Sequence, residues 1–134
     1  VRIQLLYIGK ARSRPLNQAA QEYATRLGRY CRFDMREIRS ERDAPDDRKA
    51  MRILLDPLGE QLTSAGLADV VEKAQRDISF YIGGADGWTD EFRSTADRLL
   101  SLSKMVLPHE LARVVMAEQI YRAFTILRNH PYPR

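Results

Sequence analysis

Three stretches of this chain are nearly unbroken apolar runs closed by glycine or proline. They are residues 2–9 (RIQLLYIG), 52–56 (RILLD, followed by Pro57 and Gly59) and 78–82 (ISFYI, followed by Gly83 and Gly84). A strand wetted on one side alternates apolar and polar residues, so runs of this kind belong to strands buried on both faces. Between them lie segments with helical spacing. In residues 15–30, Leu16, Ala19, Ala20, Tyr23 and Leu27 recur at steps of three and four, and Pro15 suits a first helical turn. Ser64 is placed to cap a helix running to about residue 75, with Leu67, Val70, Val71 and Ala74 inward. Strand and helix therefore alternate with short connections, which predicts an α/β fold with a mainly parallel sheet and helices on both faces.

The remaining elements are read the same way. Residues 33–39 alternate and predict a half-exposed strand, and residues 40–49 predict a surface loop with a short helix from Asp46. Thr89 or Asp90 caps a helix to about residue 101, and residues 104–107 form a short fifth strand closed by Pro108. Residues 110–129 make the longest helix, ended by Pro131 and Pro133; it is apolar over more than one face, and a two-fold dimer would cover the surplus. The 12 residues between Arg39 and Arg52 are about the minimum for a crossover between parallel strands. A chain of 134 residues without internal repeats fits one domain, 1–134.

Charge is divided unevenly. Residues 1–52 carry 13 Lys+Arg against 7 Asp+Glu, and residues 53–134 carry 9 against 11. The excess is almost all arginine, 18 of 22 basic residues, whose planar fork suits phosphate oxygens. A coding bias toward arginine would explain the ratio but not the asymmetry. Lys10, Arg12 and Arg14 crowd the loop after the first strand and are candidates for RNA binding. The single cysteine, Cys31, excludes an internal disulfide and agrees with a reducing compartment. No run approaches the roughly 18 apolar residues of a membrane span, and no secretory pattern opens these residues, so a cytoplasmic protein is expected.

Strands three, four and five each end in a loop of proline, glycine or small residues: 56–59, 83–87 and 108–109. In open parallel sheets ligands bind beyond the carboxyl ends of the strands, and three such loops fit an adenine-type ligand read by main-chain groups. Other chemistries are excluded by spacing. There is no G-x-x-x-x-G-K-[ST] loop, no G-x-G-x-x-G, no G-x-S-x-G elbow, and His109 and His130 have no metal-ligand spacing to a cysteine or to each other, so no metal is expected.

Three motifs carry a resemblance. Residues 81–87 (YIGGADG), 102–114 (LSKMVLPHELARV) and 118–123 (EQIYRA), with the tail 129–132 (NHPY), resemble the ribosomal RNA large subunit methyltransferase H family of the SPOUT, or α/β-knot, superfamily. The similarity runs along nearly the whole chain. It implies an S-adenosylmethionine-dependent enzyme that methylates N3 of a pseudouridine in a stem-loop of large-subunit (23S) ribosomal RNA, with a C-terminal trefoil knot and a homodimeric assembly. The cofactor contacts it implies fall on Leu55, Gly83, Gly84 and the run Leu102, Ser103, Lys104, Met105, Val106, Leu107 and Pro108. The chain departs from the family in a crossover shorter by about one helix before the third strand, and in Pro133 where family tails place a histidine.

Methyl transfer from a sulfonium needs an aligned acceptor and a route for the proton of a weakly acidic ring imide. His109 is the candidate to accept or orient that proton, with a helix-terminal hydrogen bond as its structural alternative. Arg113, one turn later, would face the acceptor, and Tyr132 would stack on the target base. Arg122 is a further RNA-binding candidate, although its i,i+4 spacing from Glu118 equally fits an intrahelical pair. Two other functions stay open: a non-enzymatic RNA-binding module on the ribosome, and a SPOUT methyltransferase acting on tRNA or another base.

Overall fold

The structure, a computed structural model, describes residues 1–132. Five strands, β1 (Arg2–Ile8), β2 (Arg32–Ile38), β3 (Met51–Glu60), β4 (Ile78–Ile82) and β5 (Arg98–Leu100), form one sheet in the order β2-β1-β4-β3-β5, every pair parallel. The helices are α1 (Arg14–Leu27), α2 (Ser64–Ala74), the single turn α3 (Asp90–Arg93) and α4 (His109–Leu127). The parallel α/β architecture expected from the apolar runs is what the chain adopts.

The two faces of the sheet are covered unequally. Ile3 and Leu5 of β1, Ile53 of β3, and Ile78, Phe80 and Ile82 of β4 pack under α1, α2 and α4, joined by Leu27, Leu67, Met116, Ile120 and Phe124. The other face holds a smaller cluster, Leu6, Ile38, Leu54, Tyr81, Trp88 and Phe92, so α3 and the segment leading to it form its cover. The 12-residue crossover between β2 and β3 contains one 3₁₀ turn, Glu41–Asp43, and no helix from Asp46. It is tied down at both ends: Glu41 accepts from the Thr89 N–H (2.9 Å) and hydroxyl (2.6 Å), and the Pro45 carbonyl accepts from Arg52 Nη2 (2.9 Å).

Several expected boundaries shift for physical reasons. Thr63, not Ser64, caps α2, its hydroxyl accepting from the Gly66 N–H at 2.9 Å; Ser64 instead donates to Gln119 of α4. Thr89 caps α3, which stops at Arg93 rather than near residue 101. The fifth strand is Arg98–Leu100, whereas residues 104–107 are irregular chain. β3 does not close at Pro57 but continues through a register shift between Leu55 and Glu60 to pair again with Leu100. A proline is tolerated there because the irregularity releases its position from the hydrogen-bond ladder. Gly59 is required at this join: a Cβ would stand 2.6 Å from the Leu99 carbonyl carbon. Pro133 lies outside the described residues.

Candidate active site

The irregular stretch of β3 around Leu55, Asp56 and Pro57 and the loops that follow β4 and β5 converge on one pocket of about 500 Å³. Every residue expected to hold the cofactor lines it: Leu55, Gly83, Gly84, Leu102, Ser103, Lys104, Met105, Val106, Leu107 and Pro108. Volumes of this order suit a nucleoside-sized ligand. Two of the walls explain their sequences directly. Gly83 faces the indole of Trp88, where a Cβ would come within 3.2 Å of the ring. The indole is fixed in turn by its Nε1–H donating to the Leu55 carbonyl at 2.7 Å, which joins the first loop to the second.

The third loop, residues 101–108, holds itself open through its own serines. The Ser101 N–H donates to the Glu60 carbonyl (2.8 Å), the Ser101 hydroxyl to the Ser103 carbonyl (3.0 Å), and the Met105 N–H to the Ser103 hydroxyl (2.9 Å). The N–H groups of Leu102, Lys104, Val106 and Leu107 donate to no described residue. Met105 and Val106 are 80% and 93% exposed, an apolar rim to the mouth. The pocket thus combines apolar walls with unspent main-chain donors, the donor set that an adenosine carrying an amino acid needs.

Asp56, Trp88, Arg93 and Ala112 also line the pocket and were not singled out by sequence reasoning. Asp56 is almost fully buried; its carboxylate accepts from Arg93 Nε (2.8 Å) and from the Leu58 N–H (2.9 Å). An Asp followed by Pro, with its carboxylate in reach of the N–H two residues on, is the sequence signal of such a turn.

His109 is the first residue of α4 and lines the same pocket. Its Nε2 is sealed from solvent and has no hydrogen-bond partner. It abuts Gly9, at φ +106°, where a Cβ would lie 3.3 Å from that nitrogen. A glycine is therefore needed for the strand-to-loop turn and for the approach of the ring. The neighbouring Glu110 clasps the loop after β1 by accepting from the Ser13 N–H at 2.8 Å. That bond holds its carboxyl below the usual range, helped by the Arg12 N–H and by His109 and Arg113, against desolvation.

Arg113 is not part of the pocket lining. It is buried one turn on, donates through Nη2 to Asn17 of α1, lies 4.6 Å from the centre of the Tyr7 ring, and leaves Nε without a partner. Tyr132 is also distant. Its hydroxyl donates to Glu118 (3.0 Å), its ring contacts Tyr121 at 4.9 Å, and the Arg122 guanidinium covers it at 4.6 Å. Desolvation, with hydrogen bonds to Tyr23 and Glu118, pushes its phenol well above the ordinary tyrosine value. Arg122 pairs with Glu118 at 2.7 Å, the i,i+4 pair that its spacing suggested. Lys10, Arg12 and Arg14 sit at and just beyond the β1–α1 loop, on the rim that carries His109. Among the described residues no group of His, Cys, Asp and Glu could hold a metal, and no helix is long and apolar enough to cross a membrane.

Known proteins share this arrangement. The family model described as "Predicted SPOUT methyltransferase" matches residues 1–133. Among solved structures, a probable methylase family protein from Haemophilus influenzae Rd KW20 superposes with a TM-score of 0.69 at 16% identity, over 98% of this chain and 72% of its own. The SpoU methyltransferase AviRb from Streptomyces viridochromogenes, solved in complex with AdoMet, superposes with a TM-score of 0.53 at 12% identity, over 89% and 56%. The family model over residues 1–133 defines the class, a SPOUT methyltransferase.

The ribosomal RNA large subunit methyltransferase H of Solibacter usitatus is 46% identical over an alignment of 142 residues that covers 100% of both chains. With that identity over its full length, the chain belongs to the ribosomal RNA large subunit methyltransferase H family. The alignment is longer than the 134 residues present here, so this relative carries positions that the chain lacks.

Proposed function

We propose that this protein methylates N3 of a pseudouridine in a stem-loop of large-subunit ribosomal RNA, working in the cytoplasm as a homodimer with a C-terminal trefoil knot. The observation that carries the reading is the convergence on one pocket of the three segments expected to hold the cofactor, with His109 among its lining residues. Bound there, S-adenosylmethionine supplies an electrophilic methyl group on a sulfonium. The free N–H groups of Leu102, Lys104, Val106 and Leu107 and the Gly83–Gly84 main chain bind the adenosine half, while Trp88 and the exposed rim residues exclude water from it. His109 takes or orients the proton of the ring N3 as that nitrogen becomes the nucleophile, its ring turning out from Gly9 to do so. Lys10, Arg12 and Arg14 hold RNA phosphates at the same rim, and Arg113 positions their loop through Asn17 and Tyr7.

Two features support assembly from two chains. Tyr132 is docked beside Glu118, nine residues along α4 from His109, which is about 14 Å of helix. A docked Tyr132 therefore cannot stack on a base in its own pocket, but in a dimer it could serve a partner's, with Arg122 beside it on the RNA. The apolar rim of Leu58, Met105 and Val106 is a surface that a second chain would cover. The knot follows the same logic: from β5 at the sheet edge, residues 101–108 return to the Gly83–Gly84 loop before α4 packs on α1 and α2.

The test is mass spectrometry of large-subunit ribosomal RNA incubated with the protein and labelled S-adenosylmethionine. A single labelled N3-methylpseudouridine is expected. Label on a uridine, on another base or on tRNA instead would assign the same chemistry to a different acceptor, and absence of label would favour a binding module.

A further inference from the structure

The face of the sheet turned away from α1, α2 and α4 carries a pattern that the cofactor pocket does not use. Across four neighbouring strands one register row is polar throughout: Asp34 of β2 stands opposite Gln4 of β1, Gln4 opposite Ser79 of β4, and Ser79 opposite Arg52 of β3. Side chains two apart on a strand share a face, so Arg32 and Arg36 of β2 and Arg2 of β1 flank this row. The middle of an all-parallel sheet is ordinarily apolar on both faces. Here Gln4 and Ser79 are only 6% and 5% exposed, and Gln4 Oε1 is sealed without a partner. Both groups are already covered by the chain itself, through α3, the segment leading to it and the irregular crossover with its one 3₁₀ turn, so the exposed groups of these rows are Arg32 and Arg36 on the β2 edge.

In the strand rows of this face the charges are mostly basic, Asp34 being the one acid there and paired with Arg2 at 2.8 Å, while the crossover that spans the face adds Glu41, Asp43, Asp46 and Asp47 beside Arg39, Arg42, Arg48 and Lys49. Arg52 is engaged with Thr95 and Pro45 and lies over the rings of Tyr81 and Phe92. Arg32 and Arg36 are exposed and, among the described residues, their guanidinium groups have neither a hydrogen bond nor an ion pair. They stand on the edge strand, four residues or roughly 13 Å apart. The carboxyl end of that strand reaches the rim beside the β1–α1 loop, with its Lys10, Arg12 and Arg14.

We propose that the β2 edge of this face is a second RNA-binding surface, on which Arg32 and Arg36 grip the phosphodiester backbone of the RNA away from the nucleotide being methylated. The occupant is inferred from charge complementarity, two exposed guanidinium groups whose strand runs toward Lys10, Arg12 and Arg14. The inference rests on the RNA-methyltransferase reading above and extends it to how the RNA is held.

The experiment compares the full-length protein with R32Q/R36Q, and with R29Q/R128Q as an equal loss of charge on exposed positions of the helical layer. Each is titrated with deproteinised large-subunit ribosomal RNA and with intact ribosomes at several salt concentrations. Thermal unfolding and calorimetry with S-adenosylmethionine confirm that fold and cofactor site are intact. R32Q/R36Q is expected to weaken binding to the naked RNA and to flatten the slope of log K against log salt by about 1.4 to 1.8, the loss of two phosphate contacts. R29Q/R128Q is expected to leave that slope unchanged. An unchanged slope for R32Q/R36Q, or an equal fall for both pairs, overturns the proposal. So does a loss confined to intact ribosomes, which would assign the face to a ribosomal protein. If the unmodified protein binds no ribosomal RNA, the underlying reading fails; if it binds and methylates while R32Q/R36Q behaves identically, only this proposal fails.

Discussion

His109 joins sequence, packing and chemistry in one side chain. Its position after Pro108 starts α4, its ring is pressed against Gly9, and the resulting burial leaves Nε2 without a protein partner. An unpaired buried polar nitrogen costs on the order of 1–3 kcal/mol, a cost relieved when the ring turns out to meet a bound nucleotide. His109→Ala is expected to bind S-adenosylmethionine normally and to slow single-turnover methylation by about 10² or more, the range of a lost general base. An unchanged single-turnover rate would remove His109 from the chemistry. Next to it, Glu110 gives a pH signature. Its folded pKa is depressed, so its clasp on Ser13 contributes stability above the ordinary carboxylate range and loses it as pH falls through the folded value. In acid unfolding, the stability difference between the protein and Glu110→Gln should be present at neutral pH and shrink below about pH 4. A difference that grows in acid would mean the clasp is misassigned. His109 was legible as a candidate because it follows a loop already marked by proline. Arg113 was not legible: spacing puts it one turn further on the same helix, and only packing shows that it turns to Asn17 and Tyr7.

At the scale of elements, periodicity found what long apolar patterns define and failed where a strand is three residues long. β1, α1, β4 and α2 lie close to where their apolar spacing predicted them. Residues 104–107 have a strand-like composition, yet Arg98–Leu100 is the strand, because β3 bulges past Pro57 and offers Glu60 as a second partner for Leu100. Nothing in a local window records that long-range pairing. Gly59 makes it possible, and Gly59→Ala should force β5 away from β3, lowering stability by about 1–3 kcal/mol. Because the Ser101 N–H is anchored on the Glu60 carbonyl, the cofactor loop should loosen as well. Weaker S-adenosylmethionine binding alongside a lower Tm is the expected pair of results. A lower Tm with unchanged affinity would separate the strand from the loop. The converse expectation, that α3 would reach residue 101, failed because Asp97 turns the chain: its N–H donates to the Arg52 carbonyl (2.8 Å) while its carboxylate accepts the Arg52 N–H (2.7 Å).

For the molecule as a whole, the sheet gathers at one rim what the sequence scatters over more than fifty residues: Leu55, Gly83–Gly84 and residues 102–109. The opposite face leaves Arg32 and Arg36 exposed on its edge strand, and the docked tail keeps Tyr132 away from its own pocket. Both features fit an enzyme completed by what it binds. Sedimentation at micromolar concentration should give twice the monomer mass of 15.5 kDa, and a monomer would sink the two-chain site. Assembly, acceptor base and RNA path all presuppose that the rim pocket takes the methyl donor. Calorimetric titration of the purified protein with S-adenosylmethionine tests that premise most directly: saturable heat is expected, abolished when a bulky side chain replaces Gly84. A titration without heat, or one that Gly84→Leu leaves intact, would contradict it.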